Sequence, residues 1–126
     1  MEEAGKLPHG NLTYAIIGAA QKAHAALGPG FPESVYHRAL CRALLTEKMP
    51  FESEKRFEVH FDGALCGEFR TDLVVAGEVI VELKALDRLT DEHLAQVLSY
   101  LKASGLRVGL LLNFGRKSME TRRVVL

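Results

Sequence analysis

Phe69 to Lys84 reads FRTDLVVAGEVIVELK, and this stretch decides the fold. Thr71 to Val75 and Val79 to Lys84 are β-type runs joined at Gly77, so they form a hairpin of two neighbouring strands. Strand side chains alternate with period two, which puts Val79, Val81 and Leu83 on one face and Ile80, Glu82 and Lys84 on the other. A carboxylate and an ammonium in so apolar a strand cost on the order of several kcal/mol each unless they are paired or bind something. A structural Glu82–Lys84 pair, on an edge strand with its polar face in water, meets that requirement. So does a site, because the hairpin brings Asp72 beside Glu82.

Two carboxylates and a lysine on adjacent strands suit a divalent cation. Mg2+ keeps several waters and takes one or two protein carboxylates together with substrate phosphate oxygens. Such a cation polarises a phosphoryl group and lowers the pKa of a water, which is the chemistry of phosphodiester hydrolysis. Lys84 then holds or deprotonates that water, or offsets charge developing on the phosphate.

Outward from this hairpin, Asn11 or Thr13 is expected to cap a helix running to about Leu27, with Ile16, Ala20, Ala23 and Leu27 on one face. Gly28-Pro29-Gly30 stops it. A second helix from about Pro32 to Lys48 turns Val35, Leu40, Leu44 and Leu45 inward. Phe57, Val59 and Phe61 alternate on a strand over residues 52–61, and Asp62-Gly63 is a hairpin-turn signal. Further strands are expected near 67–75 and 78–84. A helix over about 91–103 follows, burying Leu94, Val97, Leu98 and Leu101 and ending at Gly105. The apolar run at 107–113 reads as a central strand covered on both faces, and residues 122–126 as a short last strand.

This order predicts an α/β chain of α+β type with helices packed on a mixed sheet. At 126 residues it is a single domain over 1–126, with residues 1–10 as a flexible N-terminus. No apolar run approaches the ~18 residues of a membrane span, and MEEAGKLPHGN has no apolar leader segment, so no membrane association and a cytoplasmic location are expected. Cys41, in a helical pattern, and Cys66, in a turn region, lack a C-x-x-C spacing and read as small packing residues. His9, His24, His37, His60 and His93 lack a zinc-ligand spacing.

Net charge is zero, which argues against strong non-specific nucleic-acid binding. The distribution is uneven, however. Residues 1–83 hold 8 Lys/Arg against 12 Asp/Glu, and residues 84–126 hold 8 against 4. The C-terminal third therefore offers either a modest basic surface or scattered solubilising charge. Two polar stripes border apolar helix faces, Glu33, Tyr36 and His37 in the second helix and His93, Gln96 and Tyr100 in the third. A carboxylate at position 33 is also favoured by the helix dipole alone.

Asp72-x9-Glu82-Leu83-Lys84 resembles the motif of the PD-(D/E)XK nuclease superfamily, and Gln96-x3-Tyr100 resembles the Q-x-x-x-Y motif of its RecB-type members. Gly30-Phe31-Pro32-Glu33-Ser34-Val35-Tyr36 is similar to the G-x-x-E-x-x-Y signature of the small GxxExxY proteins. VIVELKALD, HLAQVLSYLKASGLRVGLLLNFG and the terminal RRVVL are similar to that family too. The resemblance implies a restriction-endonuclease-like core of helix, three-strand meander, helix and strand, with an extra N-terminal helix. It implies Mg2+ or Mn2+ on Asp72, Glu82 and Glu33, and catalytic roles for Asp72, Glu82, Lys84 and Glu33. Gln96 and Tyr100 would orient the site or the substrate strand, and Tyr36 and His93 join them as candidate substrate-binding residues. Around position 14 family members often carry a polar or acidic residue where this chain has Tyr14. The expected partner is nucleic acid, DNA rather than RNA, with a homodimer or larger protein complex open. The alternative is a nucleic-acid- or protein-binding module that keeps the nuclease fold without turnover, or a structural subunit that dimerises.

Overall fold

The computed structural model describes residues 9–126. Most of the N-terminus expected to be flexible, residues 1–8, lies outside the described residues, and Gly10 opens the first helix. The elements are α1 (Gly10–Leu27), α2 (Glu33–Thr46), β1 (Phe51–Phe61), β2 (Ala64–Val75), β3 (Val79–Lys84), α3 (Asp91–Ser104), β4 (Val108–Asn113) and β5 (Glu120–Val125). The five strands form one mixed sheet in the order β1-β2-β3-β4-β5.

Turn chemistry sets the meander. Asp62 and Gly63 both take positive φ, 53° and 78°, as do Ala76 and Gly77, 55° and 68°. Paired left-handed residues match the right-handed twist of a two-stranded ribbon, so both links close tight hairpins. β3 and β4 run parallel, which requires a crossover, and α3 supplies it. β5 returns antiparallel to β4.

The sheet divides the core into two layers. Leu73, Val75, Val79, Val81, Leu83, Val108, Leu110 and Leu112 pack with Ile16, Ala19 and Ala20 of α1 and Tyr36, Leu40 and Leu44 of α2. Val74, Ile80 and Leu111 pack on the other face with Val97 and Leu101 of α3. All six residues of β4 are buried, as expected of a central strand. Gly109 lets α3 sit close, since a Cβ there would lie 2.6 Å from Val97 Cγ1.

Several local expectations are corrected. The α1 N-cap is His9, in a left-handed conformation. Asn11 and Thr13 lie inside the helix, where the Thr13 hydroxyl donates to the Gly10 carbonyl at 3.1 Å. Leu45 is 59% exposed, because Leu44 already occupies the inward position and the next residue is rotated by about 100°. Cys66 is exposed on β2, outside both core clusters, with its Sγ donating to the Ala64 carbonyl at 3.5 Å, since the hairpin strands extend beyond both core layers. Among the described residues no helix is long and apolar enough to cross a membrane.

Candidate active site

The site forms where the β2–β3 ladder stops. Backbone pairing runs from Val75↔Val79 to Leu73↔Val81. One residue further, carboxylates take over the strand N–H groups. The Asp72 N–H donates to Glu82 Oε2 at 2.8 Å, and the Leu83 N–H donates to Asp72 Oδ2 at 2.7 Å. Each acidic side chain thus satisfies the main chain of the strand opposite, while β3 keeps its register with β4 through Lys84↔Asn113. The strands part at the pair of carboxylates without leaving those buried donors unpaired.

Electrostatics distinguish these groups from surface acids. Glu82 is 5% exposed. Burial, and then the neighbouring Asp72 charge, push its pKa up to about 8. Burial also raises Asp72, outweighing the bond from the Leu83 N–H and the charges of His37 and Lys84. Glu33, on the first turn of α2, is raised by partial burial and then by Asp72, against the charges of Lys84 and His37. Tyr100 is raised by burial, then by Glu82 and Asp72. Raised pKa values in several neighbouring acids at once are characteristic of functional clusters.

The sheet and both helical layers therefore converge on Asp72. Glu33 and His37 approach from α2 and Tyr100 from α3. The Tyr100 ring stacks on Phe69 with centroids 4.1 Å apart, and Phe69 stacks on Phe57 at 5.4 Å. Gln96 lies exposed on α3 one turn before Tyr100.

Two candidates are occupied elsewhere. Tyr36 is fully buried. Its hydroxyl donates to the Gly28 carbonyl and accepts from the Phe31 N–H, and its ring stacks on Phe114. It presents no surface to a substrate and instead holds the loop that leads to Glu33. His93 Nδ1 accepts from the Thr90 N–H at 2.9 Å, closing a capping box at the start of α3. The capping geometry directs that nitrogen at the helix terminus. Tyr14 is 80% exposed on α1.

Among the described residues no three His, Cys, Asp or Glu side chains gather into a metal-holding group. The expected set of Asp72, Glu82 and Glu33 is not closed: one oxygen of each strand carboxylate is held by a backbone N–H, and Glu33 stands on a helix layer packed on the opposite face of the sheet. The donor chemistry of the strand pair nonetheless fits a hard divalent cation, which requires only one or two protein carboxylates. A positive charge there would offset the burial and mutual repulsion that hold both acids up.

Three features escaped the motif. His37 is hydrogen-bonded to Ser53 Oγ at 2.9 Å, and its i, i+4 spacing from Glu33 is the one sequence signal for it. Glu54 has φ 54° in the middle of β1, between the paired positions Ser53↔Leu73 and Lys55↔Thr71, across from Asp72. Asn113, fully buried, accepts from the Leu86 and Gly115 N–H groups and donates to the Leu86 carbonyl and Glu120. Glu120 also accepts from the Leu89 N–H, and the Asn113 amide holds its pKa below the usual range. This network anchors the segment that follows Lys84.

A family model for the PD-(D/E)XK nuclease superfamily matches residues 10–124. Among solved structures, the chain is similar to the one described as "Crystal structure of SSO0001", with a TM-score of 0.59 and 18% identity over 74% of this chain and 50% of that one. The chain thus spans about half the length of that solved protein, and at this identity the likeness is one of fold. No curated protein matches the chain.

Proposed function

This chain belongs to the PD-(D/E)XK nuclease superfamily, and from that premise we propose that it is a divalent-cation-dependent nuclease hydrolysing phosphodiester bonds, in DNA rather than RNA. The observation that carries the proposal is the pairing of buried Glu82 with half-buried Asp72 at the end of the β2–β3 ladder, with Lys84 on the same strand face as Glu82. The GxxExxY signature at Gly30–Tyr36 supports a place among the small members of the superfamily.

Asp72 and Glu82 would hold Mg2+ or Mn2+, with Glu33 adding negative charge from α2. The cation, when bound, supplies Lewis acidity toward the phosphoryl oxygen and lowers the pKa of a water. Glu82 keeps a proton at neutral pH in the free protein and must release it to become a ligand, so loading improves as pH rises. The Lys84 ammonium orients the attacking water or offsets charge on the phosphate. Gln96 and Tyr100, one turn apart on α3, orient the substrate strand.

The test is cleavage of labelled DNA, with RNA of the same sequence alongside, in Mg2+ or Mn2+, using wild type, Glu82→Ala and Lys84→Ala. Wild type cuts and both variants, folded by circular dichroism, do not. Cleavage that persists in both variants contradicts the proposal. A second reading, a binding module that retains the fold, draws on the same carboxylate–backbone bonds as purely structural links. It predicts nucleic-acid or protein binding by wild type with no turnover in either metal.

A further inference from the structure

A groove of about 450 Å3 lies between α2 and β1, lined in part by His37, Arg38, Arg42, Leu45, Ser53 and Glu54. Its volume is within the range of small-ligand sites. Its position is informative, because Glu54 in its wall sits across the β1–β2 ladder from Asp72, and His37 lies one turn after Glu33 on α2, with its charge acting on both acids. The groove therefore adjoins the carboxylate cluster.

The lining is cationic and partly apolar. Arg38 and Arg42 are exposed one turn apart on the same helix. Neither enters an ion pair among the described residues. Glu54 does not neutralise them, since it is paired with Arg70 at 3.5 Å across the hairpin. Leu45 forms an apolar wall, 59% exposed. Two guanidinium groups in an i, i+4 row beside an apolar surface match a phosphate next to a sugar ring.

We propose that this groove takes the phosphodiester backbone of the substrate strand beside the scissile position, with Arg38 and Arg42 on phosphate oxygens and Leu45 against the sugar. The inference rests on the nuclease reading for its choice of ligand. Its occupant is fixed by charge: the strand-borne acids repel a polyanion, and these two arginines are the unpaired guanidinium groups of α2 that draw one past them.

The experiment measures anisotropy of a fluorescein-labelled 12-nucleotide DNA strand, and of RNA of the same sequence, in EDTA over a range of salt. The proteins are wild type, Arg38→Ala/Arg42→Ala and the control Lys102→Ala/Lys117→Ala. The arginine double variant is expected to bind at least about tenfold more weakly at low salt, and its log–log salt slope to be shallower by about 1.4, the value for two single-strand phosphate contacts. The lysine control keeps the wild-type slope. Equal slopes for wild type and the arginine variant, or no binding by wild type, overturn the proposal. Cleavage in Mg2+ or Mn2+ is scored separately. Arginine-dependent binding without cleavage keeps the groove and removes the nuclease reading; cleavage unaltered in rate and salt dependence by the arginine changes does the reverse.

Discussion

Raising the pH of the cation-free protein removes stability, and Glu82 is the main cause. Its carboxyl is 5% exposed and carries a folded-state pKa of about 8, against an ordinary 4.5. Between those values the folded chain holds a proton that the unfolded chain has released. Stability from this group is fully present below the unfolded value and is lost as pH rises through the folded one, at about 1.4 kcal/mol per pH unit. From pH 5.5 to 7.5 the loss is about 2.5 kcal/mol, the slope easing as the folded pKa is approached. Asp72 and Glu33, also raised, act in the same direction. Urea denaturation in EDTA reads this as a midpoint falling by about 1 to 2 M for an ordinary m-value. Glu82→Gln retains an oxygen to accept the Asp72 N–H but cannot ionise, so its midpoint changes far less over the same window. A wild-type midpoint that is flat or rises with pH, or a Glu82→Gln slope equal to wild type, refutes the reasoning.

Asn113→Ala leaves the Leu86 and Gly115 N–H groups without their acceptor and is expected to destabilise the fold by about 2 to 4 kcal/mol; hydrogen exchange should quicken at Leu86 and Leu89, and unchanged exchange there contradicts the anchoring role. Tyr36→Phe removes the hydroxyl that joins Gly28 to Phe31, costing about 1 to 3 kcal/mol in thermal unfolding with the ring stack on Phe114 kept. Glu54→Gly relieves a left-handed conformation in mid-strand and is expected to raise the urea midpoint by the equivalent of up to about 1 kcal/mol; a lower midpoint shows that the Arg70 pair outweighs the strain.

Much of the architecture was legible because its signals are local. Asp62-Gly63 and Gly77 announce their turns, β4 is apolar up to Asn113, and Gly105 ends α3 in a left-handed conformation. The same locality made the Asp72–Glu82 juxtaposition readable, since a ten-residue hairpin spacing fixes which positions face each other. What the sequence hid depends on contacts remote in the chain. Asn113 and Leu86 are 27 residues apart, and no periodicity relates them. Tyr36 and His93 read as polar stripe members, yet the hydroxyl of one and the ring nitrogen of the other serve backbone groups nearby, a choice made by loop geometry. The His37–Ser53 bond joins a helix to a strand whose relative placement is set by the core, and no local signal marks the left-handed Glu54 in mid-strand. Leu45 shows the same limit from the apolar side: its hydrophobicity points inward, while its helical phase puts it in the groove.

The proposed cation site is the Asp72–Glu82 pair. Calorimetric titration of Mn2+ near pH 7, in two buffers of different ionisation enthalpy, tests it on wild type and Asp72→Asn/Glu82→Gln. Wild type is expected to bind saturably, with close to one proton released per ion as Glu82 ionises, and the variant not at all. Equal binding by both proteins, or binding by wild type without proton release, would contradict it.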